Sequence, residues 1–159
     1  MYLENFIKGL NMADEAMEKA RKEVYEQTKN ATGLKKAELD YMLKILENAD
    51  DHDFGKLVYG MKYFTKPSKR VEGKLSLNND ERYEIKHAGH YFTSGDRIEV
   101  FIDNQDSEDN GWQFGRVEYA HGNVRDLKGY TGYYFLNYSG WDNHPLQPGM
   151  LAAIRKSID

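Results

Sequence analysis

The stretch Lys66-Pro67-Ser68-Lys69-Arg70 separates two parts of the chain that have different hydrophobic periods. Before it, apolar residues recur in alternating steps of three and four, at Leu3, Phe6, Leu10, Ala13, Met17, Ala20 and Val24. That spacing keeps one face of a helix apolar. After it, apolar residues recur at every second position, at Leu75 and Leu77, Tyr83 and Ile85, and Ile98, Val100 and Ile102. That spacing places side chains on one face of a strand, so the sequence predicts an α+β chain in two parts.

The first part, residues 1–65, is predicted to form an antiparallel helical hairpin. The first helix is expected from about Leu3 to about Lys29, where the turn-forming run Asn30-Ala31-Thr32-Gly33 follows. A second amphipathic helix carries apolar residues at Leu34, Ala37, Tyr41, Met42, Ile45 and Leu46. The apolar spacing over residues 54–61 also allows a third, shorter helix. Residues 66–72 are predicted to be a linker.

The second part, residues 73–159, is predicted to form a small antiparallel β-barrel of the SH3-like or OB-like kind. Six strand candidates lie at residues 73–77, 82–86, 97–103, 112–120, 133–138 and 150–156. Residues that tolerate positive φ separate several of them, as in Ser94-Gly95-Asp96 and His121-Gly122-Asn123. Consecutive hairpins are therefore the simplest topology, and closure of the sheet would protect its edges.

The composition argues against several classes of protein. The chain has no cysteine, which removes disulfides, thiolate catalysis and the common structural zinc sites. No apolar run approaches the roughly 18 residues that a membrane span needs. Glu4 also interrupts the region where a signal peptide would be apolar. We therefore expect a cytosolic protein with no membrane contact.

No motif for catalysis or cofactor binding occurs in the sequence. Gly-x-Ser-x-Gly, His-Glu-x-x-His, Walker and dinucleotide patterns are all missing. The run Asp50-Asp51-His52-Asp53 offers metal ligands, but acids at a helix start are stabilised by the helix dipole, which is the simpler explanation. His87 and His90 have the spacing of metal ligands, yet they flank a glycine turn without a third ligand nearby. We expect no enzymatic activity, no metal and no cofactor.

An acidic segment between two predicted strands is the first candidate for partner binding. Residues 103–110 contain the acids Asp103, Asp106, Glu108 and Asp109 and no basic residue. Such a run is most often simply solvated. The functional alternative is contact with a basic surface, where opposite charge accelerates association and fixes register.

An aromatic segment near the C-terminus is the second candidate. Its exposed rings are expected to include Tyr138 and Trp141, because successive residues of a strand face opposite sides. Tyr and Trp most often anchor protein interfaces, but they also stack on unpaired bases. A single-stranded nucleic-acid binder is thus an alternative. From Pro67 onward, however, eleven lysines and arginines face fourteen acids, which predicts no basic groove.

The second part of the chain resembles a small-barrel family of unknown function that is common in phages and mobile elements of Gram-positive bacteria. The runs that carry the resemblance are Gly73-Lys74-Leu75-Ser76-Leu77, Arg82-Tyr83-Glu84-Ile85, Ser94-Gly95-Asp96-Arg97-Ile98-Glu99-Val100, Trp112 with Arg116-Val117-Glu118, and Leu146-Gln147-Pro148-Gly149-Met150. It covers roughly residues 71–156. These are turn glycines and core residues, so the resemblance implies a fold rather than an activity.

In length and domain order, the whole chain also looks like a type II-A anti-CRISPR protein, a phage-borne inhibitor of the RNA-guided nuclease. That resemblance implies a monomeric, non-catalytic inhibitor whose partner is a CRISPR effector nuclease with its guide RNA, without direct binding of nucleic acid. Residues 1–66 carry twelve acids against eleven bases, so they do not form the dense acidic face of a DNA mimic. The expected mechanism is obstruction of the nuclease domains or of the movement that precedes cleavage.

Overall fold

The computed structural model of the chain describes residues 2–48, 63–64 and 67–158. The chain divides into two compact units, a helical unit of residues 1–65 and a β unit of residues 66–159. The third helix predicted over residues 54–61 and the run Asp50-Asp51-His52-Asp53 lie outside the described residues.

Two helices form most of the described part of the helical unit, and residues 63–64 are also helical. Helix α1 spans Tyr2–Thr28 and helix α2 spans Gly33–Asn48. Only four residues join the two helices, which contact each other, so the predicted hairpin is confirmed. Leu39 and Leu46 are buried on α2. Neither α1 nor α2 has the length and apolar content that crossing a bilayer requires.

The β unit contains nine strands in its described part. They are β1 Ser68–Lys74, β2 Ser76–Leu77, β3 Tyr83–Ile85, β4 His90–Tyr91, β5 Arg97–Ile102, β6 Gly111–His121, β7 Thr131–Asn137, β8 His144–Pro145 and β9 Leu151–Ser157. A 3-10 turn, Lys86–Ala88, lies between β3 and β4. The strands form a six-stranded sheet of order β1-β9-β5-β6-β7-β8 and a three-stranded sheet of order β2-β3-β4.

All pairs in both sheets are antiparallel, and the predicted α+β class is confirmed. Among residues 67–158, strands β1 and β8 are the outermost of the large sheet and do not pair with each other, so this pairing leaves the sheet open. Consecutive hairpins account for the small sheet β2-β3-β4 and, in the large sheet, for β5-β6-β7-β8. Strand β9 instead inserts between β1 and β5.

The predicted linker is wrong from Ser68 onward, because strand β1 begins there. The predicted linker is a basic stretch that contains Pro67 and lies where the hydrophobic period changes. An edge strand, however, tolerates charged side chains, which also discourage pairing with another chain. The guanidinium of Arg70 forms ion pairs with Glu72 on its own strand and with Glu99 on β5. The basic run is therefore part of the sheet.

The hydrophobic core lies between one face of the large sheet and the small sheet. The inward side chains of β5 alternate along the strand as the period predicted, and Ile98, Val100 and Ile102 are all buried. Ile85 and Phe92, in and beside the small sheet, belong to the same cluster. The second face of the large sheet points away from this cluster.

Gly115 allows strands β6 and β7 to approach closely. A Cβ atom there would collide with the carbonyl oxygen of Leu136 and with the ring of Phe135, which is fully buried. Because one of the obstacles is backbone, no rotamer change relieves the collision. We expect Gly115→Ala to lower the free energy of unfolding by about 2 kcal/mol, measured by urea denaturation. An unchanged midpoint would show that the two strands separate easily at this position.

Candidate functional site

Two loops at one end of the large sheet hold all six of the predicted partner-binding residues. The acidic loop, residues 103–110, joins β5 to β6. The tryptophan loop, residues 138–143, joins β7 to β8. Although the two loops are distant in sequence, hydrogen bonds connect them directly.

The carboxylate of Asp109 makes that connection. Its side chain is 1% exposed. The backbone N–H of Trp141 donates to Asp109 Oδ1 at 2.8 Å, and the N–H of Asp142 donates to Oδ2 at 2.9 Å. His144 Nε2 lies 3.1 Å from Oδ2. The last acid of one loop thereby fixes the backbone of the other.

These contacts also set the ionisation of Asp109. Burial by itself would raise the pKa of the carboxyl group. The hydrogen bonds from the Trp141 and Asp142 backbone, together with His144, outweigh burial and hold the pKa of Asp109 below its ordinary value. The group therefore stays ionised at neutral pH, and its negative charge strengthens the hydrogen bonds that it accepts.

Asparagine side chains support the tryptophan loop from within. Asn137 Oδ1 accepts hydrogen bonds from the backbone N–H groups of Ser139 at 3.1 Å and Gly140 at 2.9 Å. Asn143 donates from its backbone and its side chain to the carboxylate of Asp126, at 2.8 and 3.0 Å. Because side chains bond the loop's backbone at both ends, its conformation is defined in the free protein.

The segment that contains both loops also matches a known protein family. Residues 73–154 match the family model described as a domain of unknown function, DUF5348. The chain belongs to the DUF5348 family. No curated protein and no solved structure is detectably similar to it. The DUF5348 match includes both loops and strands β2 to β8, and it begins inside β1.

Within the DUF5348 domain, the predicted partner-binding residues have different surroundings. Asp103, Asp106 and Glu108 are exposed on the acidic loop. Trp141 is 81% exposed. Tyr138 is half-buried, and the guanidinium carbon of Arg116 lies 5.8 Å from its ring centroid.

Asp109 is the exception, and its prediction as a surface contact is wrong. Its carboxylate is buried beneath the tryptophan loop, where it accepts hydrogen bonds from the backbone N–H groups of Trp141 and Asp142. The sequence does not distinguish Asp109 from the neighbouring Glu108. Whether a loop acid is buried depends on which distant segment packs against it in the folded protein. Its role is to position the loop.

The two histidines considered as metal ligands are used differently. The ring of His87 hydrogen-bonds the carbonyl oxygen of Glu72 at 2.7 Å. The ring of His90 packs edge-on against Phe92, with 4.8 Å between centroids. In the described ranges of the chain, no three His, Cys, Asp or Glu side chains are arranged to hold a metal ion.

Sequence reasoning missed Asn137, Asn143 and Asp126, the residues that hold the tryptophan loop. The sequence does contain an indication that this loop is structured. The run from residue 137 to residue 143 is rich in Asn, Ser, Gly and Asp, whose side chains or flexible backbones favour turns bonded to their own main chain. That signal indicates a structured turn, but it does not identify Asp109 as the partner.

Proposed function

We propose that the β unit is a non-catalytic protein-binding module that docks through Trp141 together with the exposed acids of the acidic loop. The supporting observation is that an 81% exposed tryptophan sits on a loop whose backbone is held by a buried carboxylate. The Trp141 side chain is exposed to water rather than packed in the core, so burial of its ring does not stabilise the domain. The backbone of the tryptophan loop is already ordered in the free protein, so binding need not order it. Tryptophan is among the residues that most often dominate binding energy.

The charge beside Trp141 defines the chemistry of the partner. Asp103, Asp106 and Glu108 are exposed on the loop that Asp109 ties to the tryptophan loop. A partner surface that combines a pocket for an indole ring with lysine or arginine side chains complements this arrangement. Opposite charges raise the association rate, whereas the ring contributes mainly to a slow dissociation.

A CRISPR effector nuclease loaded with its guide RNA is the partner that we propose for this module. The support is the resemblance in length and domain order to type II-A anti-CRISPR proteins, because DUF5348 carries no assigned activity. The protein then acts in the cytoplasm of the bacterial host as a monomeric inhibitor. It blocks DNA cleavage by obstructing the nuclease domains or their conformational change.

We expect Trp141→Ala to weaken binding to a guide-loaded type II-A effector by about 30-fold or more, since truncation of a central interface tryptophan typically costs at least 2 kcal/mol. Surface plasmon resonance measures the change. Tyr91→Ala is the matched control, because Tyr91 is also an exposed aromatic residue, 53% exposed, but lies on the small sheet. Equal losses in the two variants would contradict a specific role for Trp141.

The acids are tested separately from the ring. The double variant Asp106→Asn/Glu108→Gln should slow association more in low salt than in high salt, because screening removes the contribution of exposed charges. Asp80→Asn/Glu81→Gln removes the same charge from an exposed turn elsewhere in the domain and serves as control. A loss of association rate that does not depend on salt would argue against steering by the acidic loop.

The mechanism has its own test. An effector saturated with this protein should still bind its target DNA in a gel-shift assay but should not cleave it. Complete loss of DNA binding would rule out obstruction of the nuclease domains. Absence of any binding to guide-loaded effectors would overturn the choice of partner and leave the docking surface to be tested against other basic proteins.

A further inference from the structure

Strand β6 extends beyond its neighbour β5 at the end of the sheet opposite the two loops. Its pairing with β5 ends at Arg116, whereas its pairing with β7 continues to His121. Val117 makes the last contacts on the β5 side: its N–H donates to Asp96 O, and its carbonyl oxygen accepts from the Gly95 N–H, both at 2.8 Å. In the described part of the chain, the final residues of β6 therefore have a paired strand on one side only.

A turn at residues 93–96 leads the chain away from β6 at this point. The Asp96 carboxylate accepts hydrogen bonds from the Thr93 N–H at 2.7 Å and from the Thr93 hydroxyl at 3.0 Å. The Asp96 N–H donates in turn to Thr93 O at 3.0 Å. Gly95 has a φ of 94°, which glycine adopts at little cost. Because local contacts define this turn, β5 does not continue along the end of β6.

The main-chain groups of Tyr119 and His121 point into the space that β5 leaves. Successive residues of a strand direct their N–H and C=O groups to alternate sides. Val117 bonds the β5 side, whereas Gly122 donates to Tyr130 O on the β7 side at 2.8 Å. Tyr119 and His121 therefore share the orientation of Val117, and neither has a main-chain partner there among the described residues. We call these two donors and two acceptors the open edge of β6.

Aromatic rings border the open edge on the face of the sheet that carries the core. Tyr119 is 41% exposed. The centroid of its ring lies 5.0 Å from that of Tyr133 and 4.9 Å from that of His121. A side chain placed opposite Tyr119 on an added strand would contact these rings, which favours an aromatic or β-branched residue. Residues 117–124 contain no lysine or arginine, so the open edge lacks the cations that a phosphate or an acidic segment requires.

We propose that the open edge of β6 binds an extended, apolar peptide segment of a partner protein, which adds an antiparallel strand in the position that β5 leaves. The peptide main chain bonds the N–H and C=O groups of Tyr119 and His121, and one of its apolar side chains packs on the rings of Tyr119 and Tyr133. Strand addition at a sheet edge is a general mode of peptide recognition. The open edge begins about 27 Å along β6 from the acidic loop, so this site is distinct from the docking loops and goes beyond the proposed function.

Peptides selected from a phage library of random sequences about seven residues long test the proposal. The tightest-binding peptide is synthesised in two forms, each with N-methyl groups on every second residue, because N-methylation then removes the donors of one edge of a strand only. In fluorescence anisotropy we expect one form to bind at least tenfold more weakly and the other to stay within about threefold of the parent peptide. Equal losses in the two forms, or failure to select any peptide, would contradict strand addition.

Variants of the protein locate the binding site. His121→Pro removes an N–H that takes no part in the pairing with β7, so a folded protein should bind the selected peptide at least tenfold more weakly. Tyr119→Ala keeps the main chain intact and should weaken binding about fivefold through loss of the ring. Tyr91→Ala removes an exposed ring on β4 and should stay within about twofold. A loss on Trp141→Ala instead would assign the peptide to the tryptophan loop and refute this site.

Hydrogen exchange provides a readout that does not depend on the folding of a variant. In the free protein, the amide protons of Tyr119 and His121 should exchange faster than those of Glu118 and Ala120, which face β7, and saturating peptide should slow the first two. Protection of Tyr119 and His121 without peptide would show that the edge is not open. A dimer in analytical ultracentrifugation that His121→Pro dissociates would overturn the peptide as occupant in favour of a second copy of the chain.

Discussion

Replacing Glu99 by glutamine should lower the free energy of unfolding by about 3 to 5 kcal/mol, because removal of one partner from a buried ion pair leaves the other charges uncompensated. The side chain of Glu99 is fully buried between Arg70 and Arg155, whose side chains are 16% and 12% exposed. Glutamine has nearly the same shape but provides no negative charge for the two guanidinium groups. Guanidinium chloride denaturation measures the loss.

Glu118→Gln is the matched control, because it removes a carboxylate that pairs with an arginine on the same face but is 25% exposed. We expect that change to cost less than about 1 kcal/mol, as is usual for exposed ion pairs. The triple variant Arg70→Met/Glu99→Leu/Arg155→Met should restore most of the stability, since apolar replacement of a whole buried charge cluster is often neutral or stabilising. Similar losses for Glu99→Gln and Glu118→Gln would show that burial does not determine the energy of this cluster.

Asp109→Asn should lower the free energy of unfolding by about 3 kcal/mol at neutral pH, because several hydrogen bonds to a buried charge are weakened at once. Both carboxylate oxygens accept backbone N–H groups. An asparagine must direct its own NH₂ group at one of those donors, which leaves that N–H without an acceptor. Hydrogen exchange should then show faster exchange at Trp141 and Asp142, with less change in the core strands.

The effect of Asp109 should depend on pH with a defined sign. Its pKa is lowered in the folded protein, so its stabilisation is fully present above the ordinary carboxyl value of 3.8 and is lost as the pH falls below that value. The difference in stability between the unmodified protein and Asp109→Asn should accordingly shrink in acid. Asp103→Asn, which changes an exposed acid of the same loop, should show little difference at any pH. A constant difference down to acidic pH would contradict the ionised, hydrogen-bonded state.

The two variants also separate stability from binding. Asp109 acts on the tryptophan loop, so Asp109→Asn should weaken partner binding even under conditions where the domain is fully folded. Glu99 lies on the second face of the sheet, where its carboxylate accepts hydrogen bonds from Arg70 and Arg155. A folded Glu99→Gln variant should therefore retain docking through Trp141.

Local patterns in the sequence determined the helices and most of the strands. Steps of three and four predicted the helix that the structure places at Tyr2–Thr28, and alternation at Ile98, Val100 and Ile102 predicted strand β5. Such periods arise from backbone geometry within a few residues, so they can be read without knowing the fold. The solvated acids at 103, 106 and 108 were predicted from the charge of their segment, and the exposed Trp141 from the alternation of faces in the aromatic segment.

Only the tertiary structure decided which distant strands became neighbours. A period of two assigns a side chain to a face, but it does not specify that β9 lies between β1 and β5. That pairing brings Arg70 on β1 and Arg155 on β9 to the carboxylate of Glu99 on β5. Asp109 is likewise indistinguishable from other loop acids until the tryptophan loop closes over it. The sequence by itself thus determined the elements and their apolar faces, whereas long-range pairing determined which charges meet, because electrostatic contacts depend on distances in space rather than along the chain.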